Sequence, residues 1–127
     1  MAEKIGFHVQ VLRPKRTAEL AKIYRVLNSS DAMIGVHGAA VTHFLFMRSG
    51  SVFIQINPIA TAWAAEEYYG APAKKLGLKY IGYEILTTES SRYDKYEIGD
   101  PILADPTRVT EQGSQITKKV IICKVKP

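Results

Sequence analysis

The segment 32–43 carries the residues whose types and spacing are best suited to ligand chemistry. It consists of an apolar strand (AMIGV), a small-residue turn (HGA) and the start of a helix (AVTH). Gly38 has no Cβ, so the backbone there can approach a ligand closely. The free N–H groups expected at Ala39, Ala40 and Val41, together with the helix dipole, favour an anion. Ligands bind outside the carboxyl ends of parallel strands, so we expect a diphosphate here, with a purely structural turn as the alternative.

His37 lies at the end of the same strand, where side chains enter the crevice. It could hydrogen-bond to a phosphate or transfer a proton. The alternative is a core histidine satisfied by the backbone. His43 has no second histidine at helical spacing and no HExxH pattern, so we expect no metal site. The single cysteine, Cys123, excludes an internal disulfide and a cysteine-based zinc site.

A second polar cluster, Glu89, Ser90 and Ser91, follows the strand predicted over residues 79–85. The carboxyl ends of parallel strands meet at one edge of a sheet, so this cluster is expected at the same edge as His37. A carboxylate there could hold ribose hydroxyls, and the serine hydroxyls could hold phosphate. The alternative is an ordinary polar turn.

Three aromatic residues between these clusters, Trp63, Tyr68 and Tyr69, are a further candidate for ligand contact. Their rings could stack on a nucleotide base. Their spacing along a predicted helix favours packing in the core instead.

The elements that position these residues are indicated by the period of the apolar pattern. The predicted strands cover 6–12, 32–36, 51–56, 79–85 and 120–125, and the predicted helices cover 18–27, 39–47 and 60–69. Gly70 is predicted to interrupt the third helix, and a further helical turn begins at Pro72. The segment 87–115 is predicted to be loop. The order of alternating strands and helices predicts an α/β fold: a Rossmann-like parallel sheet with helices on both faces. Its size is about half of a doubly wound nucleotide-binding sheet.

Length and composition set further limits. The 127 residues allow one domain, and no apolar run is long enough to span a membrane. The N-terminus lacks the apolar stretch of a signal peptide. The net charge is +5, but no stripe of basic residues interleaves with aromatics, so a solvated surface is favoured over nucleic-acid binding.

The sequence resembles the C-terminal part of the plant family 61 glycosyltransferases, which include xylan arabinosyl- and xylosyltransferases. The resemblance covers about residues 6–119, and its ordered blocks are AELAKIYRVLNSSD, MIGVHGAAVTHFLFM, SGSVFIQINP, WAAEEYYGAPAKKLGLKYIGYEI, ESSRYDKY and DPILADP. Position 40 departs from the family pattern, because Ala40 stands where the family often has glycine.

The resemblance implies a Golgi membrane enzyme with a two-domain GT-B fold, whose C-terminal half holds a UDP-sugar. It would transfer a pentose or hexose to a polysaccharide or glycan hydroxyl, with no metal and no other cofactor. By resemblance, His37, Gly38, Ala39, Thr42 and the segment Glu89-Ser90-Ser91 would face the donor; no catalytic residue is assigned.

The chain itself is expected to be a single partial nucleotide-sugar-binding domain over 1–127, with 87–119 mostly loop, in a truncated form of the enzyme. A non-catalytic fragment that binds a nucleotide or docks on a partner is the alternative.

Overall fold

The structure is a computed structural model that describes residues 2–12, 20–90, 93, 95–96 and 99–105. Helices and strands alternate from residue 20 to residue 84. The α-helices are α1 (Leu20–Asn28), α2 (Ala62–Ala65), α3 (Ala71–Lys75) and α4 (Pro101–Ala104); the strands are β1 (Ala32–Val36), β2 (Val52–Asn57) and β3 (Lys79–Glu84); 3-10 helices cover Ala2–Ile5, Ala39–Phe46 and Thr87–Glu89, and a π-helix covers Glu66–Gly70.

The three strands form one parallel sheet in the order β1-β2-β3. The register aligns Ile34 with Ile54 and Ile54 with Ile81. Each strand therefore ends at the same edge, hereafter the carboxyl edge, and the segments that follow begin there at residues 37, 58 and 85. The described residues confirm the predicted α/β class with a parallel sheet.

The core lies on one face of the sheet, around Phe53 of the central strand, whose side chain is fully buried. The Phe44 ring from the 3-10 helix stacks on the Phe53 ring with 5.1 Å between centroids. Ile23 and Leu27 of α1 and Ala73 of α3 pack into the same cluster. Apolar side chains from the connecting helices thus cover this face.

The opposite face is uncovered by the described residues, so the prediction of helices on both faces is wrong for this part of the chain. Successive strand side chains point to opposite faces, and those opposed to Phe53 are largely exposed. Ile34 is 62% exposed, Ile81 is 51% exposed and Tyr83 is 46% exposed.

The strand predicted over Gly6–Leu12 is also wrong. A 3-10 helix covers Ala2–Ile5 and a turn follows at Gly6, whose amide donates to the carbonyl of Glu3 at 3.1 Å. Phe7, Val9 and Val11 are exposed. Alternating residues form a strand only beside a partner strand, and the three-stranded sheet offers none to this segment.

The helical segment after β2 is longer than predicted, because Gly70 does not interrupt it. α2, the π-helix and α3 follow one another without a break from Ala62 to Lys75. Gly70 has the helical φ of −64°, and a Cβ at this position would lie 2.7 Å from the Tyr80 ring. The glycine therefore allows close packing of the helix on β3.

Two shorter predictions have mixed outcomes. The predicted buried helix over 39–47 is a 3-10 helix in which Val41 and Phe44 are buried, and Met47 is buried just after it. The predicted loop contains short helices over Thr87–Glu89 and Pro101–Ala104. The strand predicted over 120–125 lies outside the described residues.

Within the described residues, no helix has the length and apolar character needed to cross a bilayer.

Candidate functional site at the carboxyl edge

The turn after β1 is built on an unusual backbone conformation at Gly38. The amide of His37 donates to the carbonyl of Ile56 at 2.9 Å, which extends the sheet one residue beyond β1. Gly38 then adopts φ 145° and ψ −179°, a region essentially restricted to glycine. A Cβ at this position would meet no atom within 4 Å. Glycine is therefore required by the backbone itself, and the position borders open space.

The amides that follow are only partly available to a ligand. Val41 donates its amide to the carbonyl of Gly38 at 3.1 Å, so the prediction of a free amide at this position is wrong. No described residue accepts from the amides of Ala39 and Ala40. The Thr42 hydroxyl donates to the Ala39 carbonyl at 2.6 Å, so its proton is engaged within the helix. Two amides of the three remain candidates for an anion.

The His37 side chain is half-buried and is held by other side chains, not by the backbone. The Nε2 amide of Gln55 donates to His37 Nδ1 at 2.9 Å. The Tyr69 ring packs edge-on against the imidazole with 5.1 Å between centroids, and the Tyr69 hydroxyl donates to the Gly38 carbonyl at 3.3 Å. Burial lowers the pKa of His37 below 6.5. The imidazole is therefore neutral at pH 7 and fixed in position.

Gln55 and Tyr80 continue this arrangement into the core. Gln55 is fully buried in the central strand, and its Oε1 accepts from the Tyr80 hydroxyl at 2.9 Å. Burial raises the pKa of Tyr80, and a hydrogen bond with the Asn57 side chain opposes that shift. Among the described residues, Asn57 Oδ1 is a buried atom with no hydrogen-bond partner. The signal in the sequence for this group was a glutamine and an asparagine within an otherwise apolar strand.

The turn after β2 holds a second unusual backbone conformation at the carboxyl edge. Ala60 has φ 61°, in the left-handed region that an alanine adopts at a cost of about 1–2 kcal/mol. The amide and the hydroxyl of Thr61 both donate to the Pro58 carbonyl, at 3.2 and 2.7 Å, and stabilise the turn. Rare backbone conformations at Gly38 and Ala60 thus occur at the same edge, as is typical of functional sites.

The Glu89 carboxylate is present at this edge but is engaged by its own turn. Both carboxylate oxygens lie 2.9 Å from the Tyr83 hydroxyl, and one accepts from the Leu86 amide at 2.8 Å. This contact with Glu89 raises the pKa of Tyr83. Ser90 is buried, and Ser91 lies outside the described residues. β2 lies between β1 and β3, so His37 and Glu89 follow the two outer strands and are separated by the central one.

The three aromatic residues of the helical segment divide into two groups. Tyr69 packs against the core, as the spacing predicted. Trp63 and Tyr68 are exposed, and their rings contact each other with 6.1 Å between centroids. The prediction of core packing is therefore wrong for these two.

Within the described ranges, no group of three or more histidine, cysteine, aspartate or glutamate residues is placed to hold a metal ion.

Comparison with known proteins identifies relatives over nearly the whole chain. A xylan glycosyltransferase of Arabidopsis thaliana is 66% identical over 122 residues, which cover 96% of this chain and 25% of the relative. An alpha-1,3-arabinosyltransferase of Oryza sativa subsp. japonica is 34% identical over 125 residues, which cover 98% of this chain and 21% of the relative. A beta-1,2-xylosyltransferase of the same plant is 29% identical over 122 residues, which cover 95% of this chain and 26% of the relative.

The chain spans about a quarter of the length of these curated relatives. No protein-family model and no solved structure matches it. The relatives are named for the transfer of xylose or arabinose, or for action on xylan. They confirm the resemblance derived from the sequence blocks: this chain is related to the plant family 61 glycosyltransferases over nearly all of its own length.

Proposed function

We propose that the carboxyl edge binds the diphosphate of a UDP-sugar and that the protein is a glycosyltransferase. It would transfer a pentose or hexose to a hydroxyl of a polysaccharide or glycan. The observation that carries the proposal is the conformation of Gly38, which opens the backbone beside His37 at the end of β1. The names of the relatives, among them arabinosyl- and xylosyltransferases, support the class of reaction.

In this proposal the diphosphate lies against the start of the 3-10 helix Ala39–Phe46. The amides of Ala39 and Ala40 are the backbone donors that no described residue engages. His37 adds a ring N–H on the nitrogen that Gln55 does not occupy. Thr42 can accept through its hydroxyl oxygen, and it can donate only if the bond to Ala39 opens. Backbone amides aimed at an anion are effective because they need no reorganisation when charge develops.

The reaction requires the acceptor hydroxyl oxygen to bond to the anomeric carbon while the bond from that carbon to the diphosphate oxygen breaks. The electron pair leaves with UDP, so negative charge grows on the diphosphate in the transition state. The same amides and His37 would stabilise that charge. A base must take the proton of the acceptor hydroxyl.

Glu89 is a carboxylate in this region that could contact the ribose. A carboxylate offers about four acceptor positions, and only two protons engage them: the Tyr83 hydroxyl proton, shared between both oxygens, and the Leu86 amide proton. Acceptor capacity is therefore left for a ribose hydroxyl without breaking the turn. Ser90 is buried and would need to move to contact phosphate.

The finer features of the proposal come from the resemblance. They are the GT-B architecture, the Golgi membrane location, and a donor site that needs no bound cation. Addition of EDTA is expected to leave UDP affinity unchanged. A strict requirement for magnesium or manganese would contradict that part of the proposal.

The experiment that tests the donor site compares UDP, UMP and uridine by isothermal titration calorimetry. If the diphosphate is the recognised group, affinity falls from UDP to UMP to uridine, with at least tenfold between UDP and uridine, or about 1.4 kcal/mol. Equal affinities for UDP and uridine would contradict the proposal, because recognition would then lie in the base and ribose.

The second candidate function is nucleotide binding without transfer. It is favoured by one observation, the engagement of both Glu89 oxygens by the Tyr83 hydroxyl, which leaves this carboxylate poorly available as a base. An assay with UDP-xylose and UDP-arabinofuranose on xylan separates the two. Sugar transfer that is lost in His37→Ala would support the glycosyltransferase. The second candidate would be supported if a longer protein, which also contains the rest of a family 61 enzyme, binds UDP but transfers no sugar.

A further inference from the structure

A hydrogen-bonded group of three side chains, hereafter the relay, lies beneath the proposed donor site. Tyr80 donates to Gln55 Oε1, and Gln55 Nε2 donates to His37 Nδ1, each at 2.9 Å. Gln55 is fully buried in the central strand, where an unsatisfied amide would be costly. Both ends of its carboxamide are satisfied, one toward the core and one toward the carboxyl edge.

The direction of the bonds follows from the two ends of the Gln55 carboxamide: Oε1, which can only accept, lies toward Tyr80, and Nε2, which can only donate, lies toward His37. The Tyr80 hydroxyl gives its single proton to Gln55 Oε1, so the amide hydrogens of Gln55 face His37. A ring nitrogen that accepts a hydrogen bond carries no proton, and the proton of a neutral imidazole must then lie on the other nitrogen.

We propose that Gln55 is a positioning residue that holds His37 in the tautomer with its proton on Nε2. His37 thereby presents an N–H donor, instead of a lone pair, to an anion at the carboxyl edge. The tautomer itself follows from the relay alone. Its use toward a phosphate rests on the proposed function.

The relay also opposes protonation of His37. A proton on Nδ1 would face the amide hydrogens of Gln55, so the carboxamide would have to turn over and lose its bond from Tyr80. The titratable groups near the imidazole in the described part of the chain are Tyr69, in ring contact, and Tyr80, through Gln55. Neither is a carboxylate, so neither supplies the negative charge that would favour an imidazolium.

His43 provides an internal control for the measurement. Its Nδ1 lies 2.7 Å from the Ala40 carbonyl oxygen, which can only accept, so Nδ1 must carry the proton. The same fold thus holds two histidines in opposite tautomers.

The test is a long-range ¹H–¹⁵N correlation spectrum of the full chain labelled in histidine, recorded at pH 7.5. The expected wild-type spectrum shows His37 with the proton on Nε2 and His43 with the proton on Nδ1. Gln55→Glu keeps the size of the side chain but places an acceptor opposite Nδ1, so His37 is expected to gain a proton on Nδ1. Tyr80→Phe keeps the ring and frees the carboxamide to turn, which is expected to lower the ratio of Nε2–H to Nδ1–H at least about threefold.

A wild-type His37 with its proton on Nδ1, or a folded Gln55→Glu variant whose Nδ1 stays unprotonated, would overturn the proposal. If circular dichroism shows that Gln55→Glu does not fold, an unchanged tautomer ratio in Tyr80→Phe overturns it. Addition of UDP tests the proposed function separately. Tautomers as expected, with no response of His37 to UDP, would overturn the donor site and leave the positioning role of Gln55 in place.

Discussion

Gly38 illustrates how a single residue can be required for two physical reasons. Glycine leaves no Cβ in the path of a ligand, which is the reason that the sequence alone provides. The structure adds that φ 145° excludes other residue types whether or not a ligand is present. A substitution at this position must therefore be compared with one that carries backbone strain alone.

Gly50 supplies that control. It also has a positive φ with no atom within 4 Å of a Cβ, and it lies just before β2, at the edge opposite His37. We expect Gly38→Val to weaken UDP binding at least tenfold, about 1.4 kcal/mol, and Gly50→Val to leave it within twofold. Calorimetry on folded variants checks this. Equal losses in both variants would attribute the effect to strain.

His37 gives a prediction on the pH dependence of stability. Burial lowers its pKa in the folded protein below 6.5, so the unfolded chain binds more protons once the pH falls to that range. This contribution to stability is present above pH 6.5 and is lost as the pH falls toward the folded pKa. Urea unfolding between pH 7.5 and 5 is expected to show a smaller loss of stability in His37→Gln than in wild type. Identical pH profiles would place the imidazole in solvent.

Part of the site could be predicted from the sequence and part could not. His37 and Gly38 could be predicted as site residues because a strand, a small-residue turn and a helix occupy consecutive positions in the sequence. The relay does not, because Gln55 is 18 residues from His37 and 25 from Tyr80. Such pairs depend on strand order and register, which the period of the apolar pattern does not specify.

At the scale of elements, the strands over 32–36, 51–56 and 79–85 could be predicted to within one residue at each end. They are apolar runs bounded by glycine, proline or polar turns, and each pairs with a neighbour. The segment 6–12 has a similar pattern but no neighbour. The helical segment continues through Gly70 because packing against Tyr80 outweighs the low helix propensity of glycine.

The contact between β1 and the 3-10 helix Ala39–Phe46 positions the turn at Gly38. A Cβ on Gly35 would overlap Cγ1 of Val41, a buried residue of that helix. We expect Gly35→Val to lower the free energy of unfolding by about 1–3 kcal/mol through overpacking. Urea unfolding measures the loss. Ile34→Val, on the exposed face of the same strand, is the control and should stay within about 0.5 kcal/mol.

At the scale of the whole molecule, the exposed apolar face of the sheet is the main feature that the core does not explain. Two rows of aligned side chains cross the sheet on this face. The first row consists of isoleucines, Ile34, Ile54 and Ile81, and the second consists of Val36, Ile56 and Tyr83. A contiguous apolar surface of this kind favours association.

We expect the 127-residue chain to self-associate and to bind the dye ANS through this face. The double substitution Ile34→Lys and Ile81→Lys should reduce both effects. Leu45→Lys, which removes an isolated exposed leucine on the 3-10 helix, should change neither. Sedimentation and dye fluorescence provide the readout. A wild-type chain that stays monomeric and binds no dye would contradict the expectation.

Binding of a nucleotide-sugar diphosphate at the carboxyl edge, beside His37 and Gly38, can be measured residue by residue. The experiment is a titration of the ¹⁵N-labelled chain with UDP, followed by backbone amide shifts. If the diphosphate binds there, the largest shifts are expected over residues 37–42, smaller ones near Glu89, and none around Gly50 at the opposite edge. Saturating UDP without a response at 37–42, or with its main response around Gly50, would contradict it.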